Sequence, residues 1–138
     1  MKLEAQWVVG FTDGRGRFHV EVAPQPDTED GVQVRPEFTI VQHPEDAQLL
    51  HALKAYFGVG VIRNDRDGGL VYRVRNVRHL HDVICPFFMK HTLRTRKHVA
   101  FLKFRRVVRM LMEDEHHESE GLEAIRAIAA EMNVGRSR

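Results

Sequence analysis

The spacing of apolar residues changes several times along this chain, and each change predicts a boundary between two elements. The apolar run from Trp7 to Phe11 predicts a first helix over about residues 3–14, with closely spaced glycines just beyond it. From Arg17 onward apolar and polar residues alternate, which predicts a half-buried strand. A loop over residues 23–31 leads to a second alternating segment, in which Pro36 predicts a sheet edge or a bulge.

The second half of the chain predicts another helix, another hairpin and then a series of helices. Apolar residues at helical spacing follow Pro44 and stop at Gly58. Residues 59–63 and 70–75 are the arms of the second predicted hairpin. Three further helices are predicted: a short one over 77–84 that ends before Pro86, one over about 92–112, and a last one over about 119–133 that Gly135 ends.

This order predicts a single α+β domain over residues 1–138 with an αββαββα arrangement. Its four antiparallel strands form a saddle-shaped sheet whose apolar face the helices cover, because the other face is polar. The residues expected on that exposed polar face are Arg17, His19, Glu21, Gln33, Arg35, Thr39, Arg63, Arg73 and Arg75. Such side chains can read base edges when a two-stranded ribbon enters the major groove of DNA, although a small sheet can also present an ordinary solvated face.

The charges of the chain are segregated along the sequence, although the net charge is only +2. Residues 63–109 contain thirteen Lys and Arg against three acidic residues, whereas residues 113–131 contain seven acidic residues and one Arg. A basic surface suits a polyphosphate partner, and mixing of these charges in three dimensions is the alternative. Because the chain has no membrane-length apolar run and no basic-then-apolar leader, a soluble cytosolic or organellar protein is expected, not a secreted one.

The segment VVGFTDGRG, residues 8–16, resembles the nine-residue signature of the LAGLIDADG homing endonucleases. Its glycines, Phe11 and Asp13 match the family pattern, whereas Arg15 stands where the family has its second acidic residue. Residues 38–42, FTIVQ, resemble the family's F-x-I-x-Q element. The sequence PFF at residues 86–88, followed by LRTRK at 93–97, resembles its PFF and L-x-T-K-K elements. Together these elements cover nearly the whole chain in the family's order, so the resemblance is specific.

The resemblance implies that the sheet binds double-stranded DNA and that two copies of the chain pair through the motif helix. One motif copy implies a C2 homodimer on a near-palindromic site. Small residues four apart on one helical face permit two backbones to approach closely. The implied interface residues are Trp7, Gly10, Phe11, Asp13 and Gly14.

The resemblance further implies metal-dependent cleavage of a phosphodiester bond at the ends of the two motif helices. Each helix would hold Mg²⁺ with one carboxylate and one backbone carbonyl, the carbonyl being that of Gly14. The other implied catalytic positions are Arg15, Gln42, and Arg94 or, as the next candidate, Lys97. Arg15 cannot ligate a cation, so the expected protein binds DNA but cuts it poorly or not at all. Asp13 is expected to serve the helix end rather than a metal.

Two other interpretations remain open from the sequence. One is a non-cleaving nucleic-acid binder on the same scaffold, such as an intron splicing helper (maturase) or a regulator. The other is a small interaction domain with no nucleic-acid role. The pairs His79/His81 and His116/His117 lack the spacing of a helical zinc site and are expected to be surface residues. The lone Cys85 excludes an internal disulfide and is interpreted as a small apolar residue.

Overall fold

The computed structural model describes residues 1–134 and confirms the α+β order that the sequence predicts. The helices and strands are α1 (Ala5–Arg15), β1 (Gly16–Pro24), β2 (Val32–Gln42), α2 (Ala47–Phe57), β3 (Val61–Asn64), β4 (Leu70–Val74), α3 (Val77–His79), α4 (Cys85–Lys90), α5 (Lys97–Met112) and α6 (Ser119–Val134). Two 3₁₀ turns, Pro44–Asp46 and Glu115–His117, precede α2 and α6, and a π-helical turn, Leu80–Ile84, joins α3 to α4. None of the helices in residues 1–134 combines the length and apolar composition that a membrane crossing requires.

The four strands form one antiparallel sheet in the order β1-β2-β4-β3. β1 pairs with the whole of β2, whereas β4 pairs only with its second half, from Phe38 to Gln42. Pro36 therefore lies where β2 has β1 as its one neighbour, as expected for a residue without a backbone N–H.

Aromatic residues from the sheet and the helices fill the core on one face of the sheet. Phe18 and Phe38 are cross-strand partners whose ring centroids lie 5.1 Å apart, and Phe88 and Phe101 from α4 and α5 pack against Phe18. Tyr72 is fully buried and donates a hydrogen bond of 2.7 Å to the carbonyl of Val59. Burial raises the pKa of Tyr72 above its ordinary value, so its hydroxyl stays protonated and the hydrogen bond persists.

Two predicted helix boundaries are wrong. The helix predicted to begin near residue 92 begins at Lys97, because the N–H groups of Arg94 and Thr95 bond the side chain of Asp13 instead of helical carbonyls. The helix predicted to end before Pro86 continues to Lys90, with Pro86 in the first turn of α4, where its missing N–H needs no partner. The predicted helix end at Gly58 is confirmed, since Gly58 has a left-handed φ of 74°. The end predicted at Gly135 lies outside the described residues.

Candidate nucleic-acid interface and catalytic site

The polar face of the sheet presents most of the residues predicted for it. Arg17, Glu21, Gln33, Arg35, Arg63 and Arg75 are exposed, whereas His19 and Arg73 are half-buried. Arg35 pairs with Glu21 and Arg75 with Glu37, the latter at 2.8 Å, so both glutamates are joined to arginines across strands. Seven residues line a groove of about 380 Å³ on this face: Arg17, His19, Glu21, Arg35, Glu37, Arg66 and Arg75. Four of them are arginines, so the groove is suited to an anionic ligand.

Thr39 is an exception, because it is only 9% exposed and does not project from the sheet as predicted. The reason is its place in the register: Thr39 lies between Arg17 on β1 and Arg73 on β4, whose side chains are much longer. Arg73 Nε is buried without a hydrogen-bond partner among the described residues. Burial lowers the pKa of Arg73, as do the charges of Arg75 and Arg63. The guanidinium group of Arg73 is thus a cation at the centre of this face, and its Nε–H has no acceptor among the described residues.

His19 lies on the same face, and its ring is neutral at pH 7. Burial lowers its pKa, and Arg17 adds to this effect while Glu37 and Glu21 oppose it. A neutral imidazole offers both a donor and an acceptor nitrogen. His19 can therefore contact a base edge without adding charge.

The end of α1 is fastened to the loop before α5 by Asp13. Asp13 Oδ1 accepts hydrogen bonds from Thr95 Oγ1 at 2.6 Å and from Thr95 N at 3.1 Å, and Oδ2 accepts one from Arg94 N at 2.8 Å. Burial alone would raise the pKa of Asp13, but the bonds from Thr95 and Arg94 and the charge of Lys97 together lower it. Both oxygens of Asp13 are thus used within the chain.

Lys97 brings a second contact to the same helix end. Its Nζ donates hydrogen bonds of 3.0 Å to the carbonyls of Thr12 and Asp13, the usual place for a cation at a helix C-terminus. Burial lowers the pKa of Lys97, and Asp13 partly offsets this effect. Of the two basic candidates, Lys97 places its side chain at the motif, whereas Arg94 contributes its backbone.

Arg15 folds back onto the end of β2. Its Nη2 donates hydrogen bonds to Gln42 Oε1 at 2.7 Å and to the carbonyl of Val41 at 3.2 Å. Gln42 Nε2 in turn donates to Asp46 Oδ2 at 3.1 Å, which completes an Arg15-Gln42-Asp46 chain. Sequence analysis missed Asp46, although an acidic residue two positions after Pro44 and four after Gln42 falls in the first turn beyond the strand.

The donor set at the end of α1 does not fit a magnesium ion. Gly14 contributes a carbonyl oxygen, but Arg15 offers no ligand, Asp13 is bonded to the loop before α5, and Lys97 adds a positive charge. Within residues 1–134, the one group of three metal-ligating side chains that lie close together belongs to the turn before α6. With one backbone carbonyl and the charges of Arg15 and Lys97, this helix end suits an anion better than a cation.

The outer face of α1 is apolar and open. Val8 and Val9 face the core, whereas Trp7 on the other side is 45% exposed and stacks on Phe11 with a centroid distance of 4.9 Å. A Cβ atom added at Gly10 or Gly14 would meet no atom within 4 Å. This face has room for a second backbone.

Comparison with known proteins agrees with this geometry. A family model described as LAGLIDADG endonuclease matches residues 8–108. The probable intron-encoded endonuclease 2 of Neurospora crassa is 31% identical over 138 residues, which are 99% of this chain and 30% of that protein. The chain therefore spans less than a third of that relative's length.

Two solved structures share the fold closely. A crystal structure of the homing endonuclease I-TnaI matches with a TM-score of 0.92 and 47% identity, over 98% of this chain and 91% of that one. I-SmaMI bound to an uncleaved DNA target in the presence of calcium ions matches with a TM-score of 0.93 and 34% identity, over 96% of this chain and 45% of that one.

Proposed function

The chain belongs to the LAGLIDADG endonuclease family, and from this membership we propose that it binds double-stranded DNA sequence-specifically as a homodimer whose phosphodiester cleavage is impaired by Arg15. The observation that carries the binding proposal is the arginine-lined groove on the polar sheet face. Exposed Arg, Gln and Glu side chains on adjacent strands supply the donors and acceptors that distinguish base pairs in the major groove. Arg73 at the centre would gain the acceptor that it lacks within residues 1–134.

The open face of α1 supports pairing of two copies. Trp7 and Phe11 are apolar, and Gly10 and Gly14 leave space for a second helix. Two copies related by a twofold axis would place both sheets along one duplex, so the site would be near-palindromic. In I-SmaMI the matched unit is 45% of the chain, so that chain has room for a second unit where this protein would use a second copy.

Cleavage in this family would require a divalent cation, with Mg²⁺ as the expected ion, near the carbonyl of Gly14. When bound, the ion would activate water and stabilise charge on the phosphate. In this chain Lys97, at the helix end, would stabilise an anionic phosphate, and Gln42 would orient the guanidinium group of Arg15. Arg15 would repel the cation and attract the phosphate instead. Tight binding without efficient cutting is the expected result.

Selection from a pool of randomised DNA duplexes tests binding without assuming any target sequence. The purified chain should enrich near-palindromic sequences, and its affinity for the enriched duplex should fall steeply with salt. The same duplex incubated with Mg²⁺ should remain largely intact. Failure to enrich any sequence contradicts the binding proposal, whereas rapid double-strand cleavage contradicts only the impairment.

A non-cleaving role with RNA, such as help in intron splicing, is a second candidate. The observation that favours it is a cleft of about 640 Å³ on the helical side, lined in part by His81, Lys90, Arg105 and Arg109. This cleft is formed by helices and lies apart from the sheet groove. A competition assay separates RNA binding in the cleft from DNA binding on the sheet, because RNA bound in the cleft should leave binding of the selected duplex unchanged. Arg105→Ala should weaken RNA binding but not DNA binding.

A further inference from the structure

The turn between α5 and α6 gathers three metal-ligating side chains away from the sheet groove. One ligand atom from each of Asp114, His116 and His117 lies within 4.8 Å of the other two. The two imidazole centroids are 3.9 Å apart, and Asp114 Oδ1 lies 3.8 Å from His117 Nε2. The sequence-based expectation that these histidines form no metal site considered their spacing and the lack of a partnering cysteine, and it did not include Asp114.

Asp30, from the loop between β1 and β2, holds the ring of His117. Asp30 Oδ2 accepts a hydrogen bond of 2.6 Å from His117 Nδ1. In the neutral ring a proton on Nδ1 leaves the lone pair on Nε2, the nitrogen that lies 3.8 Å from Asp114 Oδ1. A carboxylate bonded to the distal nitrogen of a ligating histidine is the usual outer contact of a metal site, because it fixes the ring and raises its basicity.

His116 offers an unsatisfied nitrogen in the same place. Its Nδ1 is buried and has no hydrogen-bond partner among the described residues. The ring of His116 thus lies against that of His117 and has a buried nitrogen whose lone pair or proton no described residue uses.

The backbone around these residues is held firmly by α6. A Cβ atom at Gly121 would lie 1.8 Å from the carbonyl oxygen of Glu115, so the first turn of α6 is in direct contact with the 3₁₀ turn. Asp114 has a left-handed φ of 58°, which is uncommon for a residue other than glycine. The side chains thus project from a backbone whose position is already set.

We propose that Asp114, His116 and His117 bind a divalent transition-metal ion of the zinc class, with Asp30 as a positioning residue. Two imidazole nitrogens and one carboxylate oxygen suit Zn²⁺ rather than Mg²⁺. Tetrahedral bonds of about 2.0–2.1 Å separate ligand atoms by roughly 3.3 Å, so side-chain shifts of about 1 Å complete the site. Asp114 and His117 are exposed enough to make such shifts, with side chains 76% and 54% exposed. Water would complete the coordination.

The bound ion would strengthen the link between the α5–α6 turn and the first hairpin, because its ligand His117 is hydrogen-bonded to Asp30 in the loop between β1 and β2. That hairpin carries Arg17, Glu21 and Arg35 of the sheet groove. This role is structural. Whether the chain binds Zn²⁺ can therefore be decided without knowing whether it binds or cleaves DNA.

The test measures binding of Zn²⁺ alone to the full chain after removal of metal with a chelator. Titration calorimetry should give one equivalent per chain, with affinity unaffected by excess Mg²⁺, and the melting temperature should rise with Zn²⁺ concentration. Asp114→Asn, at the most exposed ligand, and His117→Gln should each weaken binding at least about tenfold, and Asp30→Asn about 10- to 100-fold.

The double substitution His79→Gln and His81→Gln is the matched control, because it removes the other closely spaced histidine pair. Its affinity for Zn²⁺ should equal that of the unchanged protein. The proposal is overturned if the unchanged chain shows no saturable binding, or if Asp114→Asn and His117→Gln bind Zn²⁺ as tightly as it does. A circular dichroism spectrum of each variant confirms that the ligands, not the fold, were removed.

Discussion

Arg15 Nη2 donates a hydrogen bond of 2.7 Å to Gln42 Oε1, so the side chain at this motif position is held within its own chain. Because Gln42 also donates to Asp46, Arg15→Glu would place a second carboxylate near this chain of contacts. We expect Arg15→Glu to gain Mg²⁺-dependent cleavage of the selected duplex, by at least about tenfold in rate, since it restores an oxygen ligand. Single-turnover assays with labelled DNA measure the rate.

Arg15→Gln is the control for this gain, because it removes the positive charge without supplying a carboxylate. It should bind DNA but cut no faster than the unchanged protein. Equal rates for all three proteins would show that residue 15 does not limit cleavage.

Asp13 should stabilise the fold in a pH-dependent manner. Asp13→Asn keeps the shape of the side chain but weakens the acceptors for Thr95 and Arg94, and we expect a loss of about 1 to 3 kcal/mol in the free energy of unfolding at pH 7. The folded-state pKa of Asp13 is lowered, so its stabilisation is fully present above the ordinary aspartate pKa of about 3.9 and is lost as the pH falls through the folded value. Urea unfolding between pH 7 and pH 3 measures both proteins.

The difference between the two proteins should therefore shrink in acid. An equal difference at pH 3 and pH 7 would mean that the carboxylate charge has no part in holding the loop. Asp67→Asn, in the exposed turn between β3 and β4, should show no such dependence.

Sequence patterns predicted the strands well, because the alternation of apolar and polar residues in a strand is a local property of the sequence. β1, β2 and β4 place apolar residues such as Phe18, Phe38 and Tyr72 on the core face, as period-two spacing requires. The predicted start of α5 was wrong because Asp13 accepts hydrogen bonds from the N–H groups of a segment 81 residues away. Local propensity carries no information on that contact.

The sequence predicted which residues lie at the site, but not their hydrogen-bond partners or their burial. The motif placed Asp13 and Arg15 at the end of α1, and Gln42 near them by resemblance. The partner of Arg15 depends on how β2 passes the helix end, and the burial of Thr39 depends on the lengths of its neighbours across the sheet. Both follow from tertiary packing, which spacing in one sequence does not specify.

Arg73 should contribute directly to DNA binding. Arg73→Ala removes the central cation of the sheet face from both copies, and we expect affinity for the selected duplex to fall at least about 30-fold, because each lost base or phosphate contact costs about 1 to 3 kcal/mol. If the contact is to phosphate, the slope of log affinity against log salt should decrease by about 2, because each homodimer carries two copies. Fluorescence anisotropy at several salt concentrations measures both quantities.

Arg126→Ala provides the comparison for Arg73. Arg126 lies on α6 next to Glu123, with 3.7 Å between the charged atoms, away from the sheet groove. Its removal should change neither the affinity nor the salt slope. A loss as large as that of Arg73→Ala would indicate that net charge, not the sheet face, governs binding.

Cys85 should be unreactive in the folded protein. It is 3% exposed, and burial raises its pKa to about 12 despite the opposing charge of Arg105. Since the thiolate is the nucleophile, we expect alkylation by iodoacetamide at pH 8 to be at least about a thousandfold slower than in the unfolded chain. Mass spectrometry in buffer and in concentrated urea measures the two rates, and comparable rates would contradict the burial of the thiol.

Gly10→Ala tests whether α1 faces solvent or a second copy, because the substitution should stabilise a monomer but destabilise a dimer. An added methyl group at Gly10 meets no atom within 4 Å in the single chain, and alanine favours a helix by about 1 kcal/mol over glycine. Gly10→Ala should therefore stabilise a monomer. Across a closely packed pair of helices the same methyl groups would overlap the partner backbone, at a cost of about 1 to 3 kcal/mol per dimer.

We expect Gly10→Ala to destabilise the dimer. Self-association measured by analytical ultracentrifugation should weaken roughly 5- to 150-fold in Gly10→Ala, while the far-ultraviolet circular dichroism spectrum stays unchanged. Gln48→Ala, at an exposed position of α2, should leave association unaffected. A variant that associates as before and melts at a higher temperature would place this face of α1 outside any dimer contact, because only an unpartnered helix gains from the added methyl group.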